Sequence, residues 1–575
     1  MAPLLFPLPC VTYDISLMKN SLTRVQWVLI ITLSLTVAPY FVRLGASSLW
    51  DANEAFYAET PREMIEARDY INPTFNYHPR LNKPPLSYWV VVPFYKLFGV
   101  SESTERLPIV LGSLVMIATA YGLGRILFSM EAGLLAAIGL AIAPRFLMFS
   151  RRILIDVYVS MFMALALLMY VLAERQPQRR RRYLVLMYVS IGLGVLTKGP
   201  VAAVLPAAAL FVYFLVFRRI NATRELMLPL GCLIIALIVL PWYVAIYLQH
   251  GWGHIESFIL KDNLSRYTQP IWGPRRGFFF YIPALIGDFF PWSLFLIPLA
   301  LSGLKKAWSF VRSNFRFSED LRGSALLTLW ILVIVFFFSL SKSKEDLYIL
   351  PIYPAAAALV GNLIAKSLIE RRQRISTATL LIIGLSTAGA GAVIAYLFGR
   401  GLPPYVITGG NLIGWSAIIG GVTTSVALSI RKYQVAVLAT ALSVTACNWV
   451  FVAFALPDFE RFKPVRSLCE VISTEAGPDA LVGYYRTAYP SMVFYLHRPI
   501  FEYYHQEEIE AAFSSGKEVF CLMSSSEFAA LQQRIPQSRV LASTPTFQVK
   551  LNVILDRAEP PRVVLITNKG GASVP

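Results

Sequence analysis

The sequence predicts an all-helical polytopic membrane protein with a small soluble α/β domain at its C-terminal end. Of its 575 residues, 56% are hydrophobic and only 15% are charged, and the mean hydropathy is +0.57. Soluble domains average about 45–50% apolar and about 25% charged residues, so this composition indicates a membrane protein. Apolar segments recur as far as residue 456, and the composition becomes soluble in character from residue 457. We therefore divide the chain into a membrane domain, 1–456, and an α/β domain, 457–575.

The number of membrane spans follows from the lengths of the apolar segments, because a helix needs roughly 20 apolar residues to cross a bilayer. The first segment is followed by no small-residue cleavage site, which favours a retained span over a cleaved signal. About thirteen spans are predicted: 25–44, 105–127, 132–149, 156–174, 183–198, 200–217, 226–249, 279–302, 325–340, 347–366, 377–398, 411–430 and 435–456. The apolar segment 86–98 is shorter, which favours an interfacial or half-inserted helix.

Basic residues fall in alternate loops and so predict the orientation of the chain. Membrane proteins concentrate Lys and Arg in cytoplasmic loops, which explains the net charge of +18 without nucleic acid as a partner. The basic loops hold Arg179–Arg182, Arg218–Arg219, Lys305–Lys306, Arg371–Arg374 and Arg431–Lys432. With these loops in the cytoplasm, the loop 45–104 and the C-terminal domain lie on the outer face of the membrane.

The C-terminal domain is predicted from short runs of β-forming residues around one helical segment. The predicted strands are ALVGYY at 480–485, MVFYL at 492–496, EVFCLM at 518–523 and FQVKLNVIL at 547–555, and the helix is EEIEAAFSS at 507–515. No catalytic motif is evident in this domain. The five cysteines form no CxxC pair, so the sequence supports neither a metal knuckle nor a disulfide framework.

The first outer loop, 45–104, carries the first candidate catalytic groups. Asp51 and Glu54 would share one face of a helix, and a carboxylate at a membrane surface can act as a general base or hold a cation. An ordinary solvated loop is the alternative. The aromatic residues beside them, including Tyr57, suit the membrane interface and favour the functional interpretation.

Three further residues combine charge with a membrane boundary. Asp156 follows SRRILI at the outer end of a span, where ionisable residues are functional candidates, although a carboxylate also stabilises a helix N-terminus. The proline after Lys83 in NKPPLSYW holds the Lys83 backbone extended, and the Lys83 ammonium suits a phosphate. The alternative is that its side chain only reaches out to the membrane interface. Lys198 in LTKGPVA precedes Gly-Pro, which fits such an interfacial role less well.

Two later outer loops add cations and tyrosines. DNLSRYT contributes Arg266, and SKSKEDLYILPIYP contributes Lys344 and Tyr348. Arg suits bidentate phosphate recognition. The alternative for each of these residues is an ordinary solvated position on the surface. His250 and His254 could ligate a divalent metal, but no paired His or carboxylate spacing supports such a site, so we predict no cofactor.

Together these residues place carboxylates opposite phosphate-seeking cations at the outer bilayer surface. A lipid-linked phosphosugar fits that chemistry, because its phosphate needs charge neutralisation as it leaves and its acceptor hydroxyl needs a base. A transporter or flippase of lipid-linked sugars is the alternative. It would need no base and would line both halves of the bilayer with polar groups.

The motifs resemble those of the membrane glycosyltransferases of the protein O-mannosyltransferase type, particularly the lipid A aminoarabinose transferase (ArnT) branch. The resemblance rests on EAFYAETPREM, NKPPLSYW, SRRILIDVYVS, LTKGPVA, DNLSRYT with FFPWS, and SKSKEDLYILPIYP, in that order. It implies a GT-C fold in a bacterial inner membrane, an active site on the periplasmic side, and a sugar donor linked to undecaprenyl phosphate. It also implies an acceptor that is a lipid A-like lipid, another glycan or a protein.

The same resemblance implies roles for individual residues. The donor phosphate would be held by Lys83, Arg266, Lys198, Tyr57, Tyr348 and Lys344. A first-loop carboxylate would be the base, with Asp156 as the second acidic group. The chain departs from the family at two positions, since Asn53 stands where relatives carry Asp, and Asn82 stands where the aminoarabinose enzymes carry Glu. Asp51 or Glu54 would then supply the base, and aminoarabinose specificity and a metal site are not implied.

Overall fold

The computed structural model describes residues 22–269, 276–312, 321–369, 374–401, 406–547 and 559–570. Within these ranges, eight helices are long and apolar enough to cross a membrane. They are Glu102–Leu127, Ile155–Arg175, Thr223–His250, Arg322–Leu340, Asp346–Leu368, Ser376–Gly399, Gly410–Ser429 and Tyr433–Phe462. The fold is thus that of a multi-pass helical membrane protein, as the apolar segments predict.

Two further predicted spans are broken helices. Met130–Ile142 and Pro144–Ser150 meet at an angle of 70°, and Phe278–Asp288 and Trp292–Lys305 meet at 120°. Proline stands at each break, at Pro144 and Pro291, where its missing N–H and fixed φ end one helix and suit the start of another. Counting each bent pair as one span raises the number to ten among the described residues.

The predicted count of about thirteen is higher because three predicted spans coincide with short or charged helices. Arg24–Tyr40 and Val201–Val216 are apolar but shorter than 18 residues. Arg180–Lys198 has 19 residues and carries charge at both ends. Each predicted span therefore corresponds to a helix, and the difference lies in helix length and end charge.

Helix Met130–Ile142 lies at the centre of the bundle. All its residues from Ala132 to Ile142 are buried, as expected of a helix that is apolar on every side. Small residues allow its neighbours to approach closely. A Cβ atom added to Gly124 would lie 2.7 Å from the Cα of Gly133, and one added to Gly361 would lie 2.4 Å from the carbonyl oxygen of Ala132.

The first outer loop, named for its predicted orientation, contains two helices and a hairpin. Helix Asn53–Ala67 is followed by strands β1 (Thr74–Phe75) and β2 (His78–Pro79), which pair antiparallel. Helix Leu86–Phe98 has 13 residues and the predicted boundaries. Its length is too small to cross a bilayer, in agreement with the predicted short helix.

The C-terminal region contains a five-stranded mixed sheet. Its strands are β3 (Leu481–Tyr485), β4 (Phe501–Tyr503), β5 (Val519–Ser524), β6 (Arg539–Pro545) and β7 (Arg562–Thr567), in the order β4-β3-β5-β7-β6. β3 is parallel to β4 and β5, whereas β7 is antiparallel to β5 and β6. The remaining helices of this region are Pro464–Glu475, Ser491–Leu496, Gln506–Ser514 and Ser525–Leu531.

Two predicted strands and the predicted helix of this region are confirmed, and one strand is wrong. ALVGYY contains β3, EVFCLM forms most of β5, and all but the last residue of EEIEAAFSS lies in helix Gln506–Ser514. MVFYL forms helix Ser491–Leu496 instead, because tertiary contacts bury its apolar residues against the first outer loop and override their β propensity. The predicted strand 547–555 lies, apart from Phe547, outside the described residues, and β4, β6 and β7 were not predicted.

Candidate active site

Glu54 anchors the first outer loop to the membrane helices. Its carboxylate is fully buried and lies 3.1 Å from Arg106 Nη2 and 3.2 Å from Arg152 Nε. The backbone N–H groups of Trp50 and Ile153 also donate to it. Burial alone would raise the pKa of Glu54, but the nearby positive charges and the Trp50 N–H hold it below its usual value. A buried, doubly paired carboxylate of this kind is a poor proton acceptor.

Asp51 connects the first outer loop to the C-terminal region. Its carboxylate accepts hydrogen bonds from the Ser491 backbone N–H at 2.8 Å and from the Ser491 hydroxyl at 2.6 Å. Burial raises the pKa of Asp51 to about 6, although these hydrogen bonds and Lys463 oppose the shift. Asp51 is therefore ionised at neutral pH but close to the range in which a general base works best.

Asp156, Lys198 and Tyr348 come together from three separate segments. Asp156 is in the first turn of helix Ile155–Arg175 and forms an ion pair with Lys198, the last residue of helix Arg180–Lys198. The Lys198 ammonium lies 4.9 Å from the centre of the Tyr348 ring. A lysine held between a carboxylate and an aromatic face is well placed to bind an anion that replaces or joins the carboxylate.

The segment that carries Tyr348 is held by further contacts. Arg276 donates a 2.6 Å hydrogen bond to the carbonyl oxygen of Lys344 and lies 3.4 Å from the Glu345 carboxylate. The Lys344 side chain is buried and donates to the carbonyl oxygen of Ser341. Lys344 thus helps to fix the conformation of this loop, because its ammonium is hydrogen-bonded to the loop's own backbone.

Lys83 and Tyr57 lie on the first-loop side of the site. Lys83 is buried, and its ammonium lies 5.8 Å from the centre of the Phe258 ring. Leu81 and Leu86, on either side of Lys83, pack in one cluster with Leu196, two residues before Lys198. The fold therefore brings the two lysine-bearing segments together. The ring of Tyr57 stacks on the ring of Tyr88 with a centroid distance of 6.0 Å.

Arg266 begins the short helix Arg266–Thr268, and its side chain lies outside the described residues. His250 contacts the Asn72 side chain at 2.7 Å, and its ring lies 5.2 Å from that of His254. In the part of the chain that the structure describes, no group of three His, Cys, Asp or Glu residues could hold a metal ion.

Two cations of the site were not predicted from the sequence: Arg106 and Lys463. Arg106 lies at the outer end of a predicted span, where an ionisable residue is a functional candidate, so a signal for it was present. Lys463 contacts Ser47 and Ser48, and its ammonium lies 4.3 Å from a ring centre of Trp50. Nothing local marks Lys463, because its partners are more than 400 residues away in the chain.

Comparisons with known proteins agree with this architecture. A family model for dolichyl-phosphate-mannose-protein mannosyltransferases matches residues 82–244. An uncharacterized protein of Aquifex aeolicus is 31% identical over 342 residues, which are 59% of this chain and 64% of the relative, so the match spans slightly under two thirds of that protein. An undecaprenyl phosphate-alpha-4-amino-4-deoxy-L-arabinose arabinosyl transferase of Pectobacterium atrosepticum is 27% identical over 72% of this chain and 73% of its own length.

The fold is also that of a solved membrane protein. The crystal structure of ArnT from Cupriavidus metallidurans bound to undecaprenyl phosphate matches with a TM-score of 0.77 and 21% identity, over 96% of this chain and 100% of that chain. The predicted fold class, a polytopic GT-C membrane fold with a small C-terminal sheet, is therefore confirmed. The predicted resemblance to ArnT and the protein mannosyltransferases is confirmed as well, by the family model, the arabinosyl transferase relatives and the shared fold.

Proposed function

We propose that this protein transfers a sugar from a polyprenyl-phosphate donor to an acceptor at the periplasmic face of a bacterial inner membrane. The observation that carries the proposal is Lys198, held between the Asp156 carboxylate and the Tyr348 ring at the ends of membrane helices. The names of the arabinosyl transferase relatives and the undecaprenyl phosphate bound to the ArnT structure support this class of donor.

The phosphate of the donor would be neutralised by the cations of the site. Lys198 and Lys83 would bind the phosphate oxygens as the bond from phosphate oxygen to the anomeric carbon breaks, with Arg266 as a third cation. Tyr57 and Tyr348 would flank the phosphate, and Lys344 would shape the loop that presents Tyr348. The polyprenyl phosphate then leaves with the bonding electron pair and gains negative charge, so these cations stabilise the transition state more than the ground state.

The base of the reaction is proposed to be Asp51. The acceptor hydroxyl oxygen attacks the anomeric carbon, inverting it, and the hydroxyl proton passes to the carboxylate. Of the two predicted candidates for the base, Asp51 has the pKa nearer to neutrality, whereas Glu54 is buried between two arginines. Glu54 then acts as a positioning residue, and Asp156 orients Lys198 toward the phosphate.

The periplasmic orientation and the division at residue 456 are part of the same proposal. The distribution of basic loops supports the orientation. The acceptor, which could be a lipid A-like lipid, another glycan or a protein, is defined by neither the site nor the orientation.

The test uses the purified full-length protein with undecaprenyl phosphate carrying single sugars, including 4-amino-4-deoxy-L-arabinose, and membrane glycolipid fractions as acceptors. Release of undecaprenyl phosphate that depends on the acceptor is the expected result. Asp51→Asn should lower the turnover by roughly 100-fold or more, the usual size of a lost acid–base contribution. Asp156→Asn should lower the turnover as well, because Lys198 loses the carboxylate that orients it. Asp479→Asn, at an exposed position of the C-terminal region, is the control and should retain full turnover.

Two results would contradict the proposal. Full turnover in both Asp51→Asn and Asp156→Asn would contradict the roles assigned to these two carboxylates. Movement of the intact donor across vesicle bilayers, with no release of undecaprenyl phosphate from any donor, would identify the protein as a transporter.

A further inference from the structure

A second charged cluster lies beside the proposed phosphate site, where the two broken helices meet. It is centred on Arg145, the second residue of helix Pro144–Ser150, directly after the 70° break. The Arg145 guanidinium forms an ion pair with Asp346 and lies 3.4 Å from the Asp288 carboxylate. Neither Arg145 nor Asp288 has a role in the proposed reaction.

Asp288 links the cluster to a second break. It ends helix Tyr281–Asp288 at the 120° bend, and its carboxylate accepts a 3.0 Å hydrogen bond from the hydroxyl of Tyr353, a buried residue. Arg145 therefore joins three segments that are remote in sequence. Its side chain keeps 41% of its surface exposed, and partly exposed ion pairs contribute little to stability. The arrangement sets the geometry of these segments more than it stabilises the fold.

Asp346 and Tyr348 belong to the same short 3₁₀ helix, Asp346–Ile352. Such a helix has 3.0 residues per turn, so side chains two residues apart leave it in directions about 120° apart. This difference fits the contacts: Asp346 faces Arg145, and Tyr348 faces Lys198. The segment is thus held on one side by Arg145 and meets the proposed phosphate site on the other.

We infer that Arg145 is a positioning residue for the donor-phosphate site, which acts by holding Asp346 so that the Tyr348 ring stays over Lys198. The inference rests on the proposed function, since it names the device that pre-forms the phosphate site. Without Arg145, Asp288 and Asp346 would lose the cation between them and repel each other, and the Asp346–Ile352 segment would turn Tyr348 away from Lys198. Binding of the donor phosphate would then have to include the cost of restoring this geometry.

The experiment measures the Kd of undecaprenyl phosphate for the full-length protein in detergent, together with the thermal unfolding midpoint of each variant. Arg145→Gln is expected to raise the Kd roughly tenfold, which corresponds to about 1.4 kcal/mol. Arg145→Lys, which keeps the charge but loses the fork of donors, should give an intermediate Kd. The matched control is Arg125→Gln, because Arg125 contacts only an aromatic neighbour, Tyr121, among the contacts described for it, and lies in a different helix.

A double-mutant cycle tests whether Arg145 acts through Tyr348. If it does, Arg145→Gln should raise the Kd in the wild-type background and add little in the Tyr348→Leu background. Exchanging the charges with Arg145→Asp and Asp346→Arg together should recover part of the lost affinity. A merely structural role would lower the unfolding midpoint and would leave the two effects on Kd additive.

The outcomes separate the two proposals. If wild-type protein does not bind undecaprenyl phosphate, the proposed function fails. If wild-type protein binds it and Arg145→Gln binds it equally well, or if the effects of Arg145 and Tyr348 are additive, the role of Arg145 is overturned while the proposed function stands. If Arg145→Gln does not fold, Arg145→Lys and the charge exchange decide by the same criteria.

Discussion

Single ion pairs at the membrane surface differ greatly in what they contribute here, and burial decides the difference. Glu54 has no exposed surface and pairs with Arg106 and Arg152, whereas Glu66 pairs with Arg62 while keeping 54% of its side chain exposed. Breaking a buried pair leaves an uncompensated charge, whereas an exposed pair is largely replaced by water.

Glu54→Gln should therefore destabilise the protein by about 3–5 kcal/mol, the range for removal of one partner of a buried ion pair. Unfolding in detergent, followed by circular dichroism, is the measurement. Glu66→Gln is the control and should cost about 0–1 kcal/mol. Equal stability of the two variants would contradict an anchoring role for Glu54.

The pKa of Asp51, about 6, predicts how activity depends on pH. The base must be ionised, so turnover should fall as the pH drops through about 6. Because the shift is upward, the contribution of Asp51 to stability is greatest at low pH and is lost as the pH rises through the same value. Stability and activity thus change in opposite directions for this residue.

A pH profile of kcat/KM for the donor checks this prediction. Glu63 is a necessary control, because burial raises its pKa to about 7 and it titrates in the same range. Glu63→Gln should leave the acidic limb near pH 6 in place. If the fall in kcat/KM near pH 6 disappears in this variant, the titrating group is Glu63 and not Asp51.

At the level of elements, glycine positions determine how closely the membrane helices pack. Helices Arg374–Ile394 and Gly410–Ser429 approach so closely that a Cβ added to Gly421 would lie 2.3 Å from the carbonyl oxygen of Gly384. Small residues at helix contacts let backbones approach in lipid, where no hydrophobic effect drives association. By contrast, a Cβ added to Gly389 would meet no described atom within 4 Å.

Gly421→Val should therefore destabilise the bundle by about 1–3 kcal/mol, the usual cost of overpacking. Gly389→Val, in the neighbouring helix Arg374–Ile394, should have a small effect. Thermal unfolding midpoints of the two variants are the measurement. A larger loss from Gly389→Val than from Gly421→Val would show that close helix contact is not the cause.

At the level of the whole molecule, the C-terminal region docks onto the first outer loop by specific hydrogen bonds. Asn76 donates to the carbonyl oxygen of Ile500 and accepts from its N–H, both at 2.9 Å. Ser491 donates twice to Asp51, and the Tyr495 hydroxyl accepts from the N–H of Leu49. These contacts connect residues more than 400 positions apart.

Replacing Asn76 and Ser491 by alanine together should loosen this docking while leaving the sheet itself intact. Amide hydrogen exchange should increase in the first outer loop and in helix Ser491–Leu496, with little change in β5. Thr474→Ala, at an exposed position of the same region, is the control. Unchanged exchange in the double variant would mean that apolar packing alone holds the two parts together.

The sequence by itself determined the membrane class, the position of each predicted membrane span and many of the candidate site residues. Lipid imposes length and apolar composition on each span locally, so segment 105–127 could be recognised without knowledge of its neighbours. The same local logic marked Asp156, Lys83 and Lys198, because a charge at a membrane boundary is costly wherever the rest of the chain lies.

Tertiary structure alone decided which charges meet. It paired Asp156 with Lys198, buried Glu54 between Arg106 and Arg152, and turned MVFYL into a helix packed on the first outer loop. An ion pair depends on distances between segments that may be hundreds of residues apart, and no local pattern encodes those distances. Neighbouring charges then separate the proposed roles of Asp51 and Glu54, because both carboxylates are buried and only Glu54 lies between two arginines.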